Sequence, residues 1–279
     1  MITPLKQLLA SFQGQKAIPA FNIDSFEIYQ AVELAVRKTN LPCIVELSAG
    51  EDKFIEAERL LMLVKKANID GLPIYLNMDH SKDTARLLEL AKLGFDMVHF
   101  DSSSLDYLIG LSQSQEFVKS VKQINPEIVV ETEFNRINLS GSEISPDSLT
   151  DPDQAAEFTL TTTPDLFAVS IGNLHGVNTI APEKIDLDRL GKIRQVVPPS
   201  VLFTLHGGSG IDLDAIHQAI GLGVVKININ TDLRNQHKSS LLREINSTKS
   251  DKIYDYLTPV VDDVAKIIIA KINSFSGSL

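Results

Sequence analysis

The sequence predicts a single closed (β/α)8 barrel, a TIM barrel spanning residues 1–279, and three observations carry that prediction. Eight short runs rich in β-branched residues recur along the chain, amphipathic helical stretches separate them, and no polar or Pro/Gly/Ser-rich linker divides the pattern. Strands that alternate with helices pair in parallel, and eight such units in 279 residues suit a closed barrel. An open doubly wound sheet is the alternative on pattern alone, because strand order is not written in the sequence.

The strand runs are AIPAFNI (17–23), CIVELS (43–48), IYLNMDH (74–80), MVHFDSS (97–103), IVVETEF (128–134), LFAVSIG (166–172), VLFTLHG (201–207) and VVKINI (224–229). The helical stretches between them are FEIYQAVELAVRKT, EAERLLMLVKKA, DTARLLELAKLG, SQEFVKSVKQI, DPDQAAEFTLTT, DLDRLGKIRQVV and DLDAIHQAIGLG. Asp151 before Pro152 and the acidic first turns of the last two are helix-start signals. Residues 231–274 are long enough for two helices that complete the outer ring.

With 43% hydrophobic residues the chain can bury a large core, and its net charge of -10 without a Lys/Arg cluster argues against nucleic-acid or polybasic membrane partners. A phosphorylated substrate stays open, because a few backbone N–H groups can hold phosphate on an acidic protein. The single cysteine, Cys43, reads as a small core residue; it excludes an intramolecular disulfide and fits a reducing, cytoplasmic location. No signal peptide or membrane span is expected. Lys6 and SFQGQK interrupt the N-terminal run, and Lys266 and Lys271 make VAKIIIAKI an amphipathic helix.

Three of the six histidines fall at or just after strand ends: His80 in NMDH, His175 in SIGNLHG and His206 in TLHGG. In a barrel all three reach the C-terminal rim, where active sites of this fold are built. Three neutral imidazoles from separate strands match a catalytic zinc site with a fourth position for water or substrate. His99 lies inside a strand and reads as a hydrogen-bonded interior residue, whereas His217 and His237 read as surface or helix-packing residues. Asp79 and His80 are adjacent in a strand and start on opposite faces, so a twist must bring both into the mouth. GGSG (207–210) and NINT (228–231) follow the last two strands, the usual place for a phosphate cradle in a barrel. Lys226, within the last strand, reads as a barrel-interior ion-pair residue rather than a nucleophile.

Taken together, IPAFNIDSFE, IVELSAG, NMDHSKD, VVETEF, TDPDQAAEF, AVSIGNLHG, TLHGGSG and VKININTDLR resemble, in order and spacing, the class II zinc-dependent fructose-bisphosphate and tagatose-bisphosphate aldolases. The resemblance covers essentially the whole chain. It implies a zinc ion on His80, His175 and His206, with Asp101 and Glu133 offering a second or alternative metal position near His80. It implies Asp79 as the acid group on the developing hydroxyl and Glu143 as the loop glutamate that removes a proton from the triose. The phosphate of the dihydroxyacetone half would contact Gly176, Gly207, Gly208, Ser209, Asn228, Asn230 and Thr231. Ser48 would lie near the aldehyde half, and a monovalent cation, Na+ or K+, near the glycine loops.

The implied reaction is reversible cleavage of a ketose 1,6-bisphosphate, fructose before tagatose, into dihydroxyacetone phosphate and glyceraldehyde 3-phosphate through a metal-stabilised enediolate. A homo-oligomer, a dimer or a multiple of dimers, is also implied. The chain departs from the family's pattern at three places. Phe134-Asn135 follows Glu133 where Leu-Gly is usual, VNT follows Gly176 where Tyr-Lys is usual, and LDYLIGLSQSQ follows FDSSS without a Glu-Asn pair. Competing readings are a metal-dependent barrel hydrolase, a non-catalytic assembly subunit, and an aldolase for another phosphorylated ketose.

Overall fold

The computed structural model describes residues 2–139, 148–176 and 184–277; Glu143 lies outside the described residues. All eight predicted strands form: β1 (Ile18–Asn22), β2 (Cys43–Leu47), β3 (Ile74–Ser81), β4 (Met97–Asp101), β5 (Val129–Glu133), β7 (Leu166–Ala168), β9 (Leu202–Leu205) and β10 (Val224–Ile229). They close into a parallel barrel in the order β1-β10-β9-β7-β5-β4-β3-β2, which excludes the open sheet. Two further strands, β6 (Asn138–Leu139) and β8 (Leu174–His175), pair with each other on the rim.

The helices follow from local signals. Ser25 caps α2 (Phe26–Thr39) through the Ile28 N–H, and Asn40 ends it in the left-handed region at φ 54°. Asp151 accepts from two N–H groups ahead of α7 (Pro152–Thr162), as the Asp-Pro start predicts. α6 (Tyr107–Ile124) begins seven residues before the helical stretch read from the sequence, because Leu108 and Ile109 face solvent and blur its apolar stripe. α10 (Thr231–Ser247) and α11 (Ile253–Phe275) are the two helices expected after the last strand. Among the described residues no helix is long and apolar enough to cross a membrane.

Strand alternation sorts the barrel interior into layers. The lowest is apolar: Ile18, Ala20, Ile44, Met97, Val129, Leu166 and Leu202 pack on Leu5 and Leu9 of α1 (Leu5–Phe12), a helix the periodicity did not announce. Two residues further along each strand the interior turns polar, with Glu46, Asn77, His99, Glu131 and Thr204 all buried around Lys226. The next step upward supplies the rim: Asn22, Ser48, Asp79, Asp101, Glu133 and His206. Cys43 and the other outward-facing strand residues join the larger apolar cluster beneath the helices.

The sixth run is shorter than predicted, ending at Ala168 rather than residue 172. Beyond it, side chains take over from the ladder. Ser170 N–H donates to Thr150 Oγ1 at 2.9 Å, and Ile171 N–H to Asn173 Oδ1 at 2.9 Å. His175 therefore stands seven residues past its barrel strand, and the pairing of β8 with β6 positions it.

Candidate metal and phosphate site

Asp79 and His80 reach the same mouth because β3 breaks its alternation between them. The pairing of β3 with β4 shifts register between Met78 and Ser81, and His80 takes φ 48°, an uncommon conformation for a residue with a Cβ. The His80 N–H donates to His99 Nδ1 at 3.1 Å, which holds the bend. Such a strained residue at a rim is where function concentrates.

The imidazoles are aimed by carboxylates. His80 Nδ1 lies 2.7 Å from Glu133 Oε1, and His206 Nε2 lies 2.7 Å from Glu131 Oε1, so each ring donates one N–H to a buried acid. Their other nitrogens, His80 Nε2 and His206 Nδ1, then face each other at 3.0 Å with lone pairs outward. Only a shared proton or a metal ion reconciles them. Histidines whose far N–H is fixed by a carboxylate are the usual arrangement of a metal ligand pair. His175 joins from β8, with its ring centroid 5.0 Å from that of His80 and 6.1 Å from that of His206. Its donor nitrogens stay outside the tighter group of Asp79, His80, His99 and His206.

A second group, His80, Asp101 and Glu133, also places ligand atoms within 4.8 Å of one another, as expected for an alternative metal position. Glu133 Oε2 is buried there without a hydrogen-bond partner among the described residues. These donors fit a divalent cation: nitrogens with free lone pairs, carboxylates in excess, and an unsatisfied carboxylate oxygen.

The charges behave accordingly. Burial disfavours charge on His80, but the carboxylates of Glu133 and Asp79 outweigh it and push its pKa up to about 10. Burial and the positive charge of His80 lower His175 to about 4, so His175 is a neutral lone-pair donor. Burial would raise Asp79, yet His80 and Lys226 hold it below the usual carboxylate range, leaving it ionised. Burial pushes Glu46 up to about 8, with Asp79 adding to the effect.

The metal group opens into a cleft of about 340 Å3 lined by Asp79, His80, His175 and His206 on one side. Gly176, Gly207, Ser209, Asn228, Asn230 and Thr231 continue the lining, with Asn22, Ser48 and Arg234 at the far end. Gly207 takes φ 65°, and a Cβ there would meet the Leu174 carbonyl oxygen at 1.9 Å, so only glycine lets these two rim segments touch. Ser209 Oγ accepts from the Asp232 N–H at 3.3 Å. The N-terminus of α10 has no side-chain cap and opens beside Ser209, an anion site by helix geometry. Gly208 does not line the cleft; its N–H donates to the Asn228 carbonyl at 2.9 Å.

Four residues escaped the sequence reading as parts of this site. Glu131 aims His206, Glu46 balances Lys226, Glu51 ties Ser48 to Asn22, and Arg234 lines the cleft. Counting back by two from Glu133 would have found Glu131, and counting back by two from Ser48 would have found Glu46. Arg234 is one helical turn from Thr231. His99 is interior, as read, and lies directly beneath the metal group, 3.2 Å from Asp79.

The chain matches the family model for class-II fructose-bisphosphate aldolase over residues 3–278. Among solved structures it resembles the YdjI aldolase of Escherichia coli K12, at 26% identity and a TM-score of 0.84, over 100% of this chain and 98% of that one. A putative fructose-1,6-bisphosphate aldolase of Coccidioides immitis shares 24% identity with a TM-score of 0.81, over 99% of this chain and 98% of that one. The fructose-bisphosphate aldolase of Campylobacter jejuni shares 21% with a TM-score of 0.78, over 99% and 93%; these last two likenesses speak to the fold.

Two outcomes are expected. Replacing Glu131 by Gln should weaken zinc affinity about 10- to 100-fold with the fold retained; titration of chelator-treated protein checks this, and unchanged affinity contradicts it. His80 holds its proton more tightly folded, near 10, than at its ordinary 6.5, and Glu46 near 8 rather than 4.5. The stability these protons contribute is complete below the unfolded values and is lost as pH rises through the folded ones. The melting temperature of metal-free protein should therefore fall between pH 6.5 and 10, whereas a rising or flat profile would contradict the assignment.

Proposed function

Because the chain belongs to the class II fructose-bisphosphate aldolase family, we propose that it is a metal-dependent aldolase that reversibly cleaves a ketose phosphate into dihydroxyacetone phosphate and an aldehyde. The family reading starts from fructose 1,6-bisphosphate, with tagatose 1,6-bisphosphate beside it and glyceraldehyde 3-phosphate as the aldehyde. The observation that carries the proposal is the facing pair of His80 and His206 nitrogens, opening into the same cleft as ionised Asp79 and the N-terminus of α10.

A zinc ion on His80, His175 and His206 would supply Lewis-acid polarisation of the substrate carbonyl. The chain's own residues do the rest. The C1 phosphate sits against Gly176, Gly207, Ser209 and the first turn of α10, where backbone N–H groups and the helix dipole favour an anion. Asn228 accepts from Lys226 Nζ at 2.8 Å and donates to Asp79 Oδ2 at 3.2 Å, so the carboxylate is oriented as well as charged.

In cleavage, Asp79 takes the proton of the C4 hydroxyl while the C3–C4 bond breaks. The bonding pair passes to C3, and the C4 oxygen becomes the aldehyde carbonyl. Glu143 returns a proton to C3 to give dihydroxyacetone phosphate, and condensation runs the same transfers backwards. A monovalent cation near the glycine loops and assembly into dimers or their multiples belong to the same reading.

The test is triose-phosphate release from fructose 1,6-bisphosphate and tagatose 1,6-bisphosphate, before and after chelation and with zinc restored. Release that chelation abolishes and zinc restores is the expected result. Release that survives chelation, or hydrolysis without triose phosphate, would overturn the proposal.

A further inference from the structure

The two ends of the cleft are chemically unlike, and the difference bears on what the aldehyde half carries. At the phosphate end, the cleft offers glycine backbone and an uncapped helix N-terminus. At the other end stand Asn22, Ser48, Asn230 and Arg234. Among the described residues Arg234 is the only lysine or arginine lining this cleft. It is already engaged: Nε lies 2.5 Å from Asp24 Oδ2 and Nη2 lies 3.1 Å from Glu51 Oε1. One guanidinium between two carboxylates leaves a net negative group when both acids are ionised.

The neutral side chains there are also turned the wrong way for an anion. Buried Glu51 accepts from Asn22 Nδ2 at 3.0 Å and from Asn230 Nδ2 at 3.4 Å, and its other contact is the Ser48 N–H at 2.6 Å. A carboxylate accepts only, so both amides must direct their NH2 groups to it. The Oδ1 of Asn230 is left buried without a donor. An unpaired acceptor of this kind suits a hydroxyl, which can donate, and repels a phosphate, which cannot. The sequence of residues 140–147 and 177–183 adds no lysine, arginine or histidine, but does add Glu143, Asp147 and Glu183.

Two cations, Lys82 and Arg136, line a neighbouring cleft of about 600 Å3 beyond His80 and Leu139. Asp79 lines the first cleft and not this one. Since Asp79 handles the C4 oxygen, the aldehyde half extends toward Asn22 and Ser48, away from Lys82 and Arg136.

We propose that the aldehyde half is an uncharged polyhydroxy aldehyde, so that a ketose 1-phosphate is preferred over a 1,6-bisphosphate, with Glu51 as the residue that sets the preference. This rests on the aldolase reading above and specifies its substrate. The reaction is then ketose 1-phosphate to dihydroxyacetone phosphate plus an unphosphorylated aldehyde, with the bond and proton transfers already described.

The experiment uses zinc-loaded full-length protein at pH 8, above the value of about 7 to which burial, with Asp24 beside it, raises Glu51. Condensation of dihydroxyacetone phosphate is measured with D-glyceraldehyde and with D-glyceraldehyde 3-phosphate. A kcat/KM roughly tenfold higher for the neutral aldehyde is expected; a higher value for the phosphorylated one overturns the inference. Glu51→Ala should improve kcat/KM for glyceraldehyde 3-phosphate about fivefold relative to glyceraldehyde. Asp24→Asn, on the outer side of Arg234, should move the ratio the same way and covers the case in which the first variant fails to fold. An unmoved ratio in the folded variants overturns the role of Glu51.

Solvent-deuterium exchange at C3 of dihydroxyacetone phosphate, which needs no aldehyde, separates the two levels. Exchange with a preference for the phosphorylated aldehyde removes this inference and keeps the aldolase. Absence of exchange removes both.

Discussion

The ammonium of Lys226 is fully buried and lies 3.2 Å from Glu46 and from Glu131 and 3.8 Å from Asp79. Burial alone would lower its pKa; Glu131 and Glu46 outweigh that and raise it, so the charge persists in the middle of the barrel. Each partner then passes the effect upward. Glu131 is held below the usual carboxylate range against its own burial and accepts from His206. Asp79 stays ionised, and Asn228, which accepts from Lys226, holds it in place. Removing one member of such a buried set leaves an uncompensated charge, which costs about 3–5 kcal/mol. The rim chemistry therefore stands on an ion-pair layer one strand step below it.

That layer explains how much the sequence disclosed. The eight strands, the histidines at their ends and the glycines after His206 were legible because period-two patterning and backbone demands leave a residue-level signature. His80 and Asp79 were legible as a pair, but the bulge and positive φ that bring them together were not, since nothing in NMDH marks a left-handed residue. The position of His175 depends on β6, built from Asn138 and Leu139 in a segment that reads as an irregular loop. Gly208 looked like a phosphate contact by its place in GGSG, yet the backbone consumes its N–H. Glu51 was hidden for another reason: it acts across the barrel mouth, on residues from β1, β2 and α10, and no local spacing records such a contact.

The cleft divides its labour by polarity. Donors gather where the first phosphate belongs, and acceptors gather around Asn22, Ser48 and Asn230, where Glu51 fixes their direction. The loss of the usual Tyr-Lys after Gly176 takes a further cation from the rim, in keeping with an enzyme that holds one phosphate rather than two. A shared scaffold thus carries the metal chemistry, while a few rim side chains decide the substrate.

The central claim is that the carboxylate-aimed imidazoles form one catalytic zinc centre with His175. Zinc-edge anomalous diffraction from crystals of the zinc-loaded protein tests it most directly. The account predicts one strong peak about 2.0–2.1 Å from nitrogens of His80, His175 and His206. A peak held by Asp101 and Glu133 without His206, or no peak at the rim, would contradict it.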